Sequence, residues 1–360
     1  MNSSRELKLT KEFSEGKRIF RLPLGLIKIL NYEYWPFYLI FFPAIIYYLF
    51  LSIKSRSLTY FTATNPGIEL GGFFGESKSE ILKSIPHKYL PVSCYVDEKS
   101  SFTSIKKQMN LNNLNYPVIC KPDKGERGFL VEKIDNDQEL KKYLQLYTGK
   151  LIIQEFVSYE IELGILYYRY PDGSGSGISS VVTKEFLSVT GDGKSTIAEL
   201  MNRSSRARFQ IKKMKIIKGA ALDEVLDEGQ KLLLEPIGNH CRGTKFINGA
   251  HLINSKLVQQ FDLIAQSMNE FYYGRFDLKV RSMEDLYTGE GIKIMEVNGT
   301  TSEPAHIYSS ELNLLKVWKI ILHHTGLTYK IAMQNNKRGI AFTPLWLVYK
   351  TVSNHFKQKA

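Results

Sequence analysis

Two late segments, GRFDLKV at residues 274–280 and GIKIMEVNGTTSEP at residues 291–304, decide how the rest of the chain is read. Phe276 to Val280 and Ile292 to Val297 are short runs with the composition of β-strands. Alternate residues of a strand share a face, so Glu296 and Asn298 point the same way. If the two strands pair, Asp277, Glu296 and Asn298 converge as three oxygen ligands. Hard oxygens of this kind suit Mg²⁺, which takes its remaining ligands from water and nucleotide phosphates. Two ordinary strands with polar ends give the same local pattern, so the remainder of the chain has to choose.

The 360 residues are enough for two or three lobes and a sizeable core. A hydrophobic content of 43% with 23% charged residues excludes a disordered chain. The net charge of +12 is uneven: residues 1–60 hold nine Lys/Arg against four Asp/Glu, and residues 332–360 hold five Lys/Arg and no acid. Basic ends around a near-neutral body point to an anionic lipid surface or to nucleic acid. The aromatic residues there lie in an apolar run rather than between cations, which ranks nucleic acid low. Cys94, Cys120 and Cys241 are far apart and form no CxxC, which fits a reduced, cytoplasmic setting and weighs against zinc.

Tyr34 to Ile53, YWPFYLIFFPAIIYYLFLSI, is twenty residues without a charge. Its length matches a bilayer span and it carries interfacial Trp and Tyr. Its distance from the start and the lack of a small-residue cleavage site argue against a cleaved signal peptide. A single span would export a tail containing Arg5, Lys8, Lys11, Lys17, Arg18, Arg21 and Lys28, against the positive-inside tendency. A hairpin or interfacial helix broken near Pro43 keeps both basic flanks on one side, so monotopic attachment at the inner membrane face is favoured. A helix pair buried in the core or in a homodimer interface is the alternative. Ala341 to Phe356 is a second amphipathic candidate, with Pro344 at its start. Between them, TNPGIELGGFFGESK at residues 64–78 is a glycine-dense loop able to approach a phosphate closely.

Tyr116 to Pro122 reads as a strand with Lys121 near its end, followed by the turn Asp123-Lys124-Gly125-Glu126-Arg127-Gly128 and a further strand, Phe129 to Val131. A lysine point charge beside backbone N–H groups is a sensible grip on a triphosphate. A solvated hairpin is the other reading. Asp135 to Tyr147 is an amphipathic helix, and Leu151 to Val157 a strand ending in Gln154, Glu155, Phe156 and Val157. Backbone groups there can pair with an adenine edge, and Glu162 can accept ribose hydroxyls. Lys184 adds a positive charge. TGDGKSTIAEL, residues 190–200, is a turn into a helix capped by Ser195 or Thr196.

The order of these pieces, from the strand lysine through the glycine loop, QEFV, TGDGKSTIAEL and RFD to EVNG, resembles the ATP-grasp superfamily over about residues 76–330. It is closest in pattern to D-alanine–D-alanine ligases and cyanophycin synthetase-like ligases. The resemblance implies an α+β fold in which two lobes grip ATP. It implies that Lys121 contacts phosphates, that Gly125 and Gly128 belong to the mobile loop over them, and that Gln154 to Val157 read adenine. By the same resemblance Glu162 holds ribose, Asp277, Glu296 and Asn298 hold two Mg²⁺ (with Mn²⁺ as substitute), and Arg275 faces the transferred phosphoryl group. An upstream lysine, either Lys78 or Lys83, adds a phosphate contact. The family's usual N-terminal α/β domain is expected to be missing or much altered.

The implied divisions are a basic apolar segment 1–75, nucleotide-gripping lobes 76–200, a lobe 201–331 with the metal and acceptor sites, and a basic tail 332–360. In the third lobe, Met201 to Gly219 is basic and Leu222 to Leu233 is expected to be helical. Gly238 to Lys245 is a polar turn, in which Arg242 can hold a substrate carboxylate or phosphate and His240 can accept a proton from an attacking amine. Glu303 and His306 can line the same cavity. The expected reaction activates a carboxylate, free or lipid-linked, as an acyl phosphate and joins it to an amine or hydroxyl. The alternatives are a membrane-associated kinase-like phosphotransferase and a non-catalytic ATP-binding protein.

Overall fold

The computed structural model describes residues 22–125, 128–309 and 311–359. The basic tail before Leu22 and the loop residues Glu126 and Arg127 lie outside the described residues.

The strands, in chain order, are β1 (Ser93–Val96), β2 (Val118–Pro122), β3 (Glu132–Ile134), β4 (Leu151–Glu155), β5 (Ile161–Arg169) and β6 (Ser176–Glu185). They continue with β7 (Ser188–Thr190), β8 (Lys231–Leu233), β9 (Lys245–Asn248), β10 (Tyr273–Val280) and β11 (Ile292–Asn298). The fold is a mixed α+β one with two antiparallel sheets. The first has the order β1-β4-β2-β3 and the second β11-β10-β5-β6-β9, while β7 and β8 form a small separate pair. The second sheet takes strands from both sides of residue 200, so a lobe boundary drawn there runs through one sheet.

The first sheet is covered by helices Phe102–Leu111 and Asp137–Leu146, whose Ile105, Met109, Leu140 and Tyr143 pack on Val118, Cys120 and Ile153. Ser101 and Asn136 start these helices, each accepting backbone N–H bonds of the first turn. The second sheet buries Leu163, Ile165, Phe276 and Leu278 against helix Ser255–Ser267. Ile152 of β4 belongs to that same core, so the two sheets share apolar contacts. Thr196 caps helix Ile197–Arg203 in a reciprocal box with Glu199.

Some local expectations change. The stretch after the glycine loop turns at 128–130 and becomes a strand at Glu132–Ile134, where Ile134 supplies the buried residue. Leu222 to Leu233 is not a helix: it leaves a short 3₁₀ turn, Gly219–Asp223, and ends in β8. The Gly191 turn packs against Leu226 and Asp227, which holds this segment extended.

The apolar N-terminal segment breaks at Phe41 into helices Phe37–Ile40 and Phe42–Ser55, with Pro43 in the first turn of the second. That second helix packs on the long helix Leu314–Lys337 through Ala44, Leu51, Ile321 and Ala332. Among the described residues no helix is long and apolar enough to cross a membrane.

Candidate active site

Strands β10 and β11 pair antiparallel, with Asp277 opposite Glu296 and Arg275 opposite Asn298. A register shift follows directly after Asp277, where the ladder skips from Glu296 to Ile294. The bulge re-aims the strand beside the polar residues. Asp277 and Asn298 meet, Asn298 Nδ2 donating to Asp277 Oδ2 at 3.2 Å. Arg275 Nε donates to the same oxygen at 3.2 Å, so Arg275 and Asp277 do share a strand face.

Four cations surround these carboxylates. Lys184 of β6 stands 2.9 Å from both Asp277 Oδ1 and Glu162. Lys121 of β2 donates to Gln154 Oε1 at 3.2 Å and, across the gap between the sheets, to the carbonyl of Met295 in β11 at 2.8 Å. Lys78 donates to the carbonyl of Gly125 and lies 3.8 Å from Glu296. Lys83, by contrast, is exposed and pairs with Glu80 at 2.9 Å, so of the two lysines Lys78 is the one beside Glu296.

Burial drives the electrostatics. It pushes Lys121 down to about 8, an effect that Glu296 opposes and neighbouring Lys78 reinforces. Burial also raises the Asp277 carboxyl, but Arg275 and Lys184 outweigh it and hold the group at about 2. Lys184 stays charged because Asp277 and Glu162 overcome its desolvation.

Asp277, Glu296 and Asn298 offer two carboxylates and an amide oxygen, a hard-oxygen set that fits Mg²⁺ or Mn²⁺. Among the described residues no group of three or more His, Cys, Asp or Glu is arranged to hold a metal ion. The expected set has just two acids, and both oxygens of Asp277 accept from protein donors.

Other expected residues are engaged in ways that the chain order does not reveal. The Gln154 side chain holds Lys121 and donates to Ser93 Oγ at 3.1 Å. The backbone N–H of Glu155 goes to Val92 at 2.8 Å and that of Phe156 to Pro117 at 3.4 Å. The Val157 carbonyl accepts from Lys279 Nζ at 3.0 Å. Glu162 is fixed by Lys184 and by Gly238, where an added Cβ would stand 2.2 Å from its carboxylate.

Gly71 and Gly72, of the dense glycine stretch, closely approach the backbone of Gly299 and Thr300. Thr300 N donates to Gly71 O at 3.1 Å, and a Cβ on Gly72 would lie 2.6 Å from Gly299 Cα.

The glycine loop is held at both ends. Arg242 Nη2 donates to the Gly128 carbonyl at 2.8 Å, as Lys78 does to Gly125, and Arg242 also lies 3.4 Å from Glu235. His240 stacks near Tyr308, ring centroids 4.9 Å apart, and its Nε2 is 3.5 Å from Glu33 Oε2. Glu33 binds Arg206 at 2.6 Å. Tyr308 donates to Glu303 at 2.6 Å, whose carbonyl accepts from Arg275 at 3.3 Å. His306 meets Ser180 at 2.6 Å. A chain of contacts, ionic, aromatic and hydrogen-bonded in turn, therefore runs from the N-terminal segment to Arg275. Glu33 and Tyr308 are the residues that sequence reading missed. The available signal was that Glu33 is the sole acid between Glu15 and Glu69.

No family model matches the chain, and no curated protein matches it. Among solved structures it is similar to a bifunctional glutathione synthetase from Pasteurella multocida, at 16% identity over 68% of this chain and 36% of that one, with a TM-score of 0.35. It is similar to the VanG D-Ala:D-Ser ligase from Enterococcus faecalis at 14% identity, over 69% of this chain and 61% of that one, with a TM-score of 0.39. A D-alanine–D-alanine ligase from Coxiella burnetii is similar at 8% identity, over 73% of this chain and 59% of that one, with a TM-score of 0.41. The chain spans less than two thirds of the length of each of these three proteins.

Proposed function

We propose that the chain is an ATP-dependent ligase of the ATP-grasp kind, which activates a carboxylate as an acyl phosphate and passes the acyl group to an amine or hydroxyl. The observation that carries this reading is the contact of Lys121 in one sheet with Met295 in the other. It gathers Lys78, Lys121, Lys184 and Arg275 around Asp277 and Glu296. Four cations between two sheets are a binding place for a polyphosphate, and phosphoryl transfer rests largely on such positioning and charge neutralisation. The sequence motifs TGDGKSTIAEL and EVNG support the same reading.

Asp277, Glu296 and Asn298 would hold Mg²⁺, which when bound neutralises phosphate charge. Lys78, Lys121 and Lys184 bind and orient the phosphates. Arg275 stabilises the charge of the phosphoryl group as the substrate carboxylate attacks the γ-phosphorus and ADP leaves. Gly125 and Gly128, whose carbonyls accept from Lys78 and Arg242, would border the phosphates, where exclusion of water matters because a free acyl phosphate hydrolyses. His240 then takes the proton of the attacking amine as phosphate departs, with Glu33 stabilising the imidazolium.

The test is ATP turnover with hydroxylamine as a trap over a panel of carboxylates, including amino acids, fatty acids and lipid-linked acids. Hydroxamate forming together with ADP, and lost in Glu296→Gln, is the expected result. ADP with a stable phosphorylated product and no hydroxamate makes the protein a phosphotransferase instead.

A further inference from the structure

The helix Phe42–Ser55 is apolar on both of its faces. Its inner face is spent on Leu314–Lys337. On the outer face, Phe42, Ile45, Ile46, Leu49, Phe50 and Ile53 recur at spacings of three and four, and each is between 42% and 79% exposed. A helix apolar all round belongs in a core or in lipid, and water does not tolerate a continuous stripe of this kind without a partner.

A second exposed apolar turn carries Leu345, Trp346 and Tyr349. The chain leading into it is fastened beside the first helix. Thr343 N donates to Thr62 Oγ1 at 3.0 Å, and Ile340 and Phe342 pack with Leu51 and Tyr60.

Along the chain, the charge flanking both segments has one sign, although Arg338 pairs with Glu270 at 3.8 Å. No acid occurs from residue 34 to residue 68, and Lys54 and Arg56, both exposed, close the helix. Residues 312–360 hold eight Lys/Arg and no acid, Lys350 among them. A second copy of the chain would bring two basic rims together at a cost, whereas anionic headgroups complement them. Fourteen residues extend about 21 Å at 1.5 Å per residue, short of the ~30 Å needed to cross a bilayer. The geometry is that of a helix lying in the interface plane, with Trp346 and Tyr349 as residue types that favour that depth.

We infer that the outer face of helix Phe42–Ser55, with the first turn of helix Leu345–Lys359, docks the protein on an anionic lipid bilayer. The inference is independent of the ligase reading, because it uses none of the residues between the two sheets.

The experiment is flotation of the full chain with unilamellar vesicles of phosphatidylcholine alone and of phosphatidylcholine mixed with phosphatidylglycerol. The wild type floats with the mixed vesicles. Lys54→Gln/Arg56→Gln weakens partitioning roughly 30-fold, at about fivefold per cation removed. Ile46→Ser/Phe50→Ser abolishes flotation while the melting temperature is kept, since both side chains are exposed. Absence of the wild type from both floating fractions overturns the inference, and so does equal flotation of the variants. A wild-type dimer in solution that Ile46→Ser/Phe50→Ser disperses, without flotation, assigns the face to a second copy and overturns it as well.

Discussion

A buried lysine without a full counter-charge is held ready for an anion. Lys121 is pushed down to about 8 by burial, so keeping it charged costs on the order of 3 kcal/mol relative to water. An incoming phosphate offsets that cost. The place of Lys121 near the end of an apolar strand, ahead of a glycine turn, was legible in the sequence. The partners of Glu33 were not, because 173 residues separate it from Arg206. Burial raises the Glu33 carboxyl, but His240 and Arg206 outweigh it and hold it below the usual range. A carboxyl lowered in the folded state stabilises fully above its unfolded value and loses that contribution as pH falls through the folded one. Glu33→Gln should therefore cost roughly 1–3 kcal/mol at pH 7. The difference from wild type should vanish in acid, below the carboxylate range. Urea denaturation at both pH values checks this, and an unchanged gap in acid would remove the ion pair from the account.

At the scale of elements, the 64–75 segment shows how a motif with the right residues takes a structural role. Asn65 pins it by donating to the carbonyls of Gly71 and Tyr273 and accepting from the N–H groups of Tyr272 and Tyr273. Gly71 and Gly72 then brace the turn Gly299–Thr301 that follows β11. Glycine is required at 72 for two reasons, a φ of 78° and the 2.6 Å approach of Gly299. Gly72→Ala should destabilise by about 2 kcal/mol or more. On the proposed ligase reading it should also weaken ATP binding, since the turn it braces ends the strand carrying Glu296 and Asn298; calorimetric titration and thermal melts check both effects. A melt unchanged from wild type would mean the brace is dispensable. Glycine density alone could not separate backbone–backbone approach from phosphate approach, because both need the same missing Cβ.

At the scale of the molecule, two sheets with separate helical covers meet at the Lys121–Met295 contact. If a nucleotide sits between them, it bridges both. Adding Mg-ATP should slow amide exchange in residues 118–125 and in 292–298 together. Protection confined to one of the two segments would place the nucleotide on a single sheet and remove the basis for the ligase reading.

From local composition and period-two alternation alone come the strands β10 and β11, the shared face of Glu296 and Asn298, and the lysine of β2, whereas the pairing that sets Asp277 opposite Glu296 came from the folded structure. The sequence also exposed a charge-free stretch from Tyr34 to Ile53 between basic ends. The tertiary structure alone decided that Lys78 rather than Lys83 belongs at Glu296, that Gln154 holds Lys121, and that Glu33 reaches His240. It alone decided which face of helix Phe42–Ser55 is left open. The physical reason is the same in each case: a side chain's partner across the fold depends on how sheets and helices pack, and residues equivalent in local pattern are separated only by long-range contacts.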